Sequence, residues 1–498
     1  MRTDKRTMEF PVHDTCAGIY IHIPFCIRKC AYCDFLSAPA GKEERERYLV
    51  CLNQELFEVC RKMEAAGQAV STIYFGGGTP SILSGGQILQ LMDTLKAGAQ
   101  ILPGAEITLE MNPGTVTEEK LECFQKAGIN RLSIGAQSFQ EEELKLLGRI
   151  HSAEDFMKAY KMARSIGFSN ISLDLMSGLP GQSLECWQKN LETAVCLNPE
   201  HISAYSLIIE EGTPFYDRYG VSWSEENEEL DRQMYEATKE ILAKAGYLRY
   251  EISNYAKPGY ESRHNTSYWT GVPYYGCGLG ASSLIKRPEG WFRTRNQTKL
   301  LAYFQNFEKK EASKAECVKK KEFKADFAKN GGFKADSAKN GGFEAGTETC
   351  FEEEVLLTRQ ERMEEFMFLG LRLTRGIDIR RFEAEFGQKF DPVYGDCVRE
   401  LIYDGLMQQN GDRLALTDRG LDLSNYSYEK IYLKKIFALK NFCFETGRET
   451  FYEKWKKTDQ ENFSAAQSGL PAVPSGKTAG GGGCFVRPVC RNLSALLS

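Results

Sequence analysis

Between residue 18 and about residue 210 one pattern recurs: a short β-branched run, a turn, then a longer stretch with apolar positions three and four apart. The short runs predict strands at Ile19–Ile23, Thr72–Phe75, Glu106–Met111, Arg131–Ile134, Ile171–Leu175 and Ile202–Leu207. The longer stretches predict helices. In Glu43–Ala66, Leu49, Leu52, Leu56 and Val59 fall on one face. Strands joined in series by helices run parallel, because each helix carries the chain back to the end where the last strand began. The expected class is therefore α/β. Eight such units would close a full barrel; six predict a curled, partly open (β/α)6 barrel, with a doubly wound open sheet as the alternative.

Beyond this region the pattern changes twice. Residues 210 to 308 read as an extension of the barrel rich in aromatics, among them Trp223, Tyr247, Tyr250, Tyr255, Tyr268 and Trp269. Residues 309–352 are dominated by Lys, Glu, Ala and Gly, and repeat Lys-Ala-Asp-Phe-Ala-Lys-Asn-Gly-Gly-Phe once with a single change. Two copies are too few for a solenoid and the composition cannot bury a core, so this segment is expected to be a disordered insertion. Apolar patterning resumes at Thr358, a good helix N-cap. A helix ending near Gly376, helices over Ile379–Phe386 and Val393–Asp404, and a hairpin over Leu406–Leu416 predict an α-rich, winged-helix-like domain at 358–425. Residues 1–17 form a short lead, and 426–498 a basic, then low-complexity tail expected to be flexible.

Bulk properties narrow the function. The chain has 498 residues, 42% hydrophobic and 26% charged, and a formal net charge of -5. That balance does not fit a dedicated nucleic-acid binder. The winged-helix shape does not change this, because its third helix carries Asp396, Arg399, Glu400 and Asp404 with no basic excess to meet phosphates. An interaction or lid module fits better. The first ten residues are charged without an apolar signal core, and no run is long enough to span a bilayer, which leaves room only for peripheral membrane contact. Sixteen cysteines in a chain this long are not a disulfide scaffold, so reduced thiols and a cytoplasmic setting are expected.

Three of those cysteines carry the sharpest chemistry. Cys26, Cys30 and Cys33 lie within eight residues, directly after the first strand. Soft thiolates at this spacing suit three irons of an iron–sulfur cubane and leave a fourth open to a small molecule. A zinc knuckle borrowing His22 or Cys16 is the competing reading, weakened by the absence of a second nearby pair. In parallel α/β sheets chemistry gathers at the carboxyl ends of the strands. There stand Gly76-Gly77-Gly78-Thr79-Pro80, whose backbone permits close approach of a charged group, then Glu110, Gln137 and Asp174. Each of the last three is either a satisfied core polar group or part of one pocket. Their equivalent positions favour the pocket, for which carboxylate and amide groups would suit hydroxyl and amino groups, and Arg149 a carboxylate.

The Cys-x₃-Cys-x₂-Cys loop, with Tyr32 before its last cysteine, resembles the radical S-adenosylmethionine superfamily. Tyr20-Ile-His-Ile-Pro-Phe-Cys26, Gly-Gly-Gly-Thr-Pro, Gln137-Ser-Phe, Leu-Gly-Arg149 and Gly-Leu-Pro-Gly-Gln resemble, within it, the oxygen-independent coproporphyrinogen III oxidase family. The likeness covers roughly 18–308 and 358–425. It implies that Cys26, Cys30 and Cys33 ligate a [4Fe-4S] cluster whose open iron binds S-adenosylmethionine. It implies cofactor contacts at Tyr20, Tyr32, Gly77, Gly78, Thr79, Glu110, Gln137, Arg149 and Asp174. The family's oxidase branch decarboxylates propionates to vinyls and usually carries a further cysteine two residues after the third. Here that position is Phe35. Cys33-Asp34-Phe35 is similar instead to the haem-chaperone branch, as is His264-Asn-Thr-Ser-Tyr268-Trp269, a motif proposed there to bind haem. The resemblance therefore implies haem as cargo, an apo-haemoprotein acceptor as partner, and His264 as a haem contact, with the oxidase as the alternative activity. On residues alone, His264 is equally a hydrogen-bonded loop histidine with Tyr268 and Trp269 in the core.

Overall fold

In the computed structural model, which describes residues 15–220, 227–308 and 351–431, six parallel strands follow one another in sequence and in space. They are β1 (Cys16–Ile23), β2 (Ala69–Gly77), β3 (Ile101–Met111), β4 (Arg131–Gln137), β5 (Ile171–Ser177) and β6 (His201–Ser206). Each contains its predicted run and extends it by up to a few residues, except β6, which ends at Ser206 one residue short. The class is α/β with a partial (β/α)6 barrel, as the pattern predicts. The sheet continues past both ends of that set. Beyond β6 lie β8 (Asn254–Ala256) and β7 (Leu248–Arg249), both antiparallel. On the other side β9 (Tyr274–Cys277) adds a seventh parallel strand against β1, followed by β10 (Ser282–Arg287), β11 (Gly290–Asn296) and β12 (Phe351–Leu357). Strand β12 begins at Phe351, inside the last two residues assigned above to the insertion. The rest of that insertion, Trp223, most of the lead and the tail from residue 432 lie outside the described residues.

Side chains along a strand point alternately to opposite faces. In register, Ile19, Ile21, Ile73, Phe75, Leu109, Leu132, Ile134, Leu173, Leu175 and Ile202 fall on one face and are fully buried. They form a single core with Leu52, Leu56, Ile88, Leu91, Leu121, Phe124, Phe156 and Leu191 from the intervening helices. The opposite face carries Tyr20, His22, Thr72, Tyr74, Glu106, Thr108, Glu110, Arg131, Ser133, Ser172, Asp174, His201 and Ser203. One face thus supplies the stability and the other the chemistry.

Among the described residues the chain divides into two compact units: one comprises those from Thr15 to Tyr268 and from Val272 to Leu356, and the other Trp269–Gly271 and Leu357–Ile431. In the second, Thr358 caps the helix Arg359–Gly370 in a reciprocal box with Glu361. Helices Ile379–Phe386 and Asp391–Tyr403 follow. Strands β13 (Ile377–Asp378), β14 (Met407–Asn410) and β15 (Arg413–Leu416) make a small antiparallel sheet, so the winged-helix-like arrangement is present. Among the described residues no helix is long and apolar enough to cross a membrane.

A buried carboxylate fastens the first helix, Lys42–Ala65, to the β9–β11 extension. Glu55 accepts from the Tyr303 hydroxyl (2.7 Å), the Gly278 N–H (2.8 Å) and Asn296 Nδ2 (2.6 Å). Burial outweighs these donors and pushes its carboxyl up from 4.5 to about 7. The folded chain therefore binds more protons than the unfolded chain between those pH values, and the stability attached to this group falls as pH rises through them. Glu55→Gln is expected to remove that fall, worth roughly 3 kcal/mol at most, in urea unfolding followed from pH 5 to pH 8; an unchanged pH slope would refute it.

Candidate cofactor site at the carboxyl ends of the strands

The cysteine loop leaves β1 at Ile23 and is closed at its neck by paired backbone hydrogen bonds, Cys26 N–H to the Ala38 carbonyl (3.1 Å) and Ala38 N–H to Pro24 (3.0 Å). His22 braces it from inside. Its Nε2 lies 2.9 Å from the Leu36 carbonyl, which can only accept, so Nε2 carries the proton and Nδ1 accepts from the Tyr20 hydroxyl at 3.0 Å. Burial lowers the pKa of His22 to about 4, which keeps the ring neutral for this role. Further ties run to neighbouring loops. Ala31 N–H donates to Leu147, Phe215 N–H to Ala31, and the Arg28 guanidinium to the carbonyls of Gly148 and Arg149.

These ties hold the three thiols half-buried at the mouth of the polar face. Thr79 Oγ1 donates to Cys26 Sγ at 3.5 Å, and Arg149 Nη1 to Cys30 Sγ at 3.7 Å. Gly78 presses so near that a Cβ would stand 3.0 Å from Cys26 Sγ and 2.8 Å from the Phe25 carbonyl, so any side chain there would push on the thiol. Among the described residues no three His, Cys, Asp or Glu groups converge as one metal ion requires. His22 has both nitrogens engaged, and Cys16 begins β1 at the far end, roughly 20 Å along the strand. The donor set does not fit the zinc knuckle. Thiols spread around a loop fit a cubane, three of whose irons each take one of them.

Beside the loop, the predicted pocket residues come together on the polar face. Glu110 accepts from the Tyr74 hydroxyl (2.8 Å) and the Gly77 N–H (3.1 Å), and burial still raises its carboxyl to about 7. Gln137 sits at a register shift between β4 and β5 with φ 65°, a rare conformation for a residue other than glycine. It shares the space over Gly135 with Arg149: a Cβ at Gly135 would lie 2.8 Å from Gln137 Nε2 and 3.2 Å from the Arg149 guanidinium. Gln137 Oε1 and Arg149 Nε are buried without hydrogen-bond partners. Asp174 accepts from Ser133 and Ser172, and its carboxyl is raised chiefly by burial against the opposing pull of Arg131. Tyr32 packs near Phe215 on the loop side, and burial raises its phenol.

Comparison with known proteins places this geometry. Residues 20–194 match the radical SAM superfamily and residues 357–423 the HemN C-terminal domain. The haem chaperone HemW of Bacillus subtilis (strain 168) is 35% identical over 412 residues, covering 82% of this chain and 96% of that protein. The chain belongs to the HemW family. HemW of Escherichia coli (strain K12) is 44% identical over 55% of this chain and 71% of its own length. The structure of Escherichia coli coproporphyrinogen III oxidase HemN has the same fold, with a TM-score of 0.66 over 84% of this chain and 90% of that one at 22% identity.

One residue of the HemW-like motif lies elsewhere. His264 is 1% exposed and packs at the amino end of the strands, not at the cysteine end. Its Nδ1 is 2.8 Å from Thr72 Oγ1, its Nε2 is 2.7 Å from the Tyr268 hydroxyl, and its ring stacks on Tyr74. Its backbone N–H donates to Glu106. Both ring nitrogens are hydrogen-bonded, one to Thr72 on β2 and the other to Tyr268 in the same helix, Arg263–Trp269, so this histidine stands in a helix and not in a loop, and its bonds run to side chains instead of its own backbone. Sequence reasoning passed over Tyr74, Arg131 and Tyr205, which line the same face as Glu110 and Asp174. The signal was available in the period-two alternation of the strands. His264→Ala is expected to lower stability by about 2–4 kcal/mol, by unpairing Thr72 and Tyr268, and to leave the haem absorption spectrum unchanged. A shifted Soret band would restore His264 as a ligand.

Proposed function

We propose that this chain is a haem chaperone that carries a [4Fe-4S] cluster on Cys26, Cys30 and Cys33, binds S-adenosylmethionine beside it, and passes haem to an apo-haemoprotein in the cytoplasm. The observation that carries this reading is the 35% identity to a HemW chaperone along 82% of the chain, joined by Phe35 where the oxidase branch places a further cysteine.

When bound, the cluster and S-adenosylmethionine supply one-electron chemistry at a sulfonium. The chain's own groups would bind and orient. Arg149 beside Cys30, and Thr79 with Gly78 beside Cys26, offset negative charge on the thiolates and hold the loop. Glu110 offers a carboxylate to an ammonium group. Such a cation would keep it ionised against the burial that raises it, so the pocket gains more from binding a cation than an exposed carboxylate would. Gln137 Oε1 and Arg149 Nε complete an acceptor and a donor for the methionyl end, while Asp174 suits ribose hydroxyls. Tyr20 and Tyr32 wall the site and keep water from it.

Two outcomes are expected. Glu110→Gln should weaken S-adenosylmethionine binding by about tenfold or more in anaerobic calorimetry; equal affinity would remove Glu110 from the site. The reconstituted protein should take up haem, release it to an apo-haemoprotein, and form no protoporphyrinogen IX from coproporphyrinogen III under reducing, anaerobic conditions. Vinyl product at catalytic turnover would assign the chain to the oxidase activity instead.

A further inference from the structure

Strand β4 opens on Arg131, whose side chain stands on the polar face and is 1% exposed. Its in-register neighbour on β3 is Thr108, fully buried on the same face. Arg131 Nε and Thr108 Oγ1 both lack hydrogen-bond partners, although the guanidinium draws electrostatically on the Asp174 and Glu110 carboxyls. The three carboxylates on this face are committed to other donors. Glu106 accepts from the backbone N–H groups of Arg263 and His264, Glu110 from Tyr74 and Gly77, and Asp174 from Ser133 and Ser172. A guanidinium keeps its proton at any physiological pH, so it cannot escape burial by neutralising as a lysine or histidine can. Leaving the Nε–H and the threonine hydroxyl dry without acceptors is unfavourable, and two adjacent unfilled donors mark where an acceptor belongs.

We infer that Arg131 and Thr108 form an anion-binding point inside the barrel, shaped for a carboxylate. The planar fork of the guanidinium matches the two oxygens of a carboxylate, and the threonine hydroxyl adds a third donor beside it. None of the cofactor contacts implied by the sequence includes either residue. A carboxylate reaches this point from one of two sources: a small free carboxylate, or a propionate of the haem cargo. The second source rests on the function proposed above.

The test uses the full chain, reconstituted anaerobically, as wild type, Arg131→Met and Arg131→Lys. In the first arm the thermal midpoint is followed against formate, with ionic strength held by chloride. Wild type is expected to gain several degrees, Arg131→Lys a part of that, and Arg131→Met none, while circular dichroism confirms that Arg131→Met is folded. In the second arm haem is compared with its dimethyl ester. A propionate at Arg131 predicts about tenfold tighter binding of the diacid by wild type, lost in Arg131→Met. Formate protection without that preference assigns the point to free carboxylates; the preference without formate protection assigns it to the propionate. The inference is overturned if formate acts equally on wild type and Arg131→Met and neither distinguishes diacid from ester. Failure of wild type to bind haem in either form would refute the carrier function, while the formate arm still reports on Arg131.

Discussion

Everything at the site depends on the two-residue period of six parallel strands, kept in step across the sheet apart from local shifts such as the one at Gln137. The period sends every second side chain to the helix-covered face, where isoleucine, leucine and phenylalanine bury against the helices. The alternate positions are thereby free to be polar. Parallel direction then brings the carboxyl ends of all six strands to one edge, and the cysteine loop, the glycine run, Glu110 and Gln137 arrive there together. A slip of one residue in any strand would exchange the two faces and place a carboxylate or guanidinium in the apolar core.

Buried ionisable groups are costly to hold in this fold. Glu55 and Glu110 are both raised to about 7 by burial, His22 is lowered to about 4, and the donors around each carboxylate offset only part of the penalty. The molecule handles this in two ways. Some groups are fully engaged: Glu55 has three donors, and the ring nitrogens of His22 and His264 are all hydrogen-bonded. Others keep unfilled atoms: Gln137 and Arg149 near the cysteine loop, Thr108 and Arg131 toward the amino ends of their strands, and Asn170 and Thr294 elsewhere.

The loop that holds the thiols illustrates the same division of labour. Its position follows from β1, its neck is closed by backbone hydrogen bonds, and its outer turn is fastened by Arg28 to carbonyls near Arg149. Arg149 itself reaches Cys30 and the Gly135 carbonyl, so the fourth strand, the segment after it and the cysteine loop share one residue. Such cross-links fix thiol spacing before any cluster is present, which lowers the ordering cost of binding one.

Much of this was legible from the chain alone. The six runs located six strands, the cysteine spacing pointed to a cubane over zinc, and the polar residues ending successive strands marked the pocket edge. Strand ends were read short because their polar residues lack β-branched character. Arg131, Tyr74 and Thr108 were missed because a charged or polar residue within a strand looks like noise until its face is known. The β9–β12 extension was not legible either, since its pairing with β1 joins residues more than 250 positions apart. The sequence by itself determined which residues could carry soft-ligand and carboxylate chemistry, since that depends on side-chain type and local spacing. Only the tertiary structure decided which of them keep a free atom. Whether Arg131 is satisfied depends on groups from other strands, and His264 needs Thr72 of β2 as well as Tyr268 four residues on in its own helix, of which the local sequence records only the last.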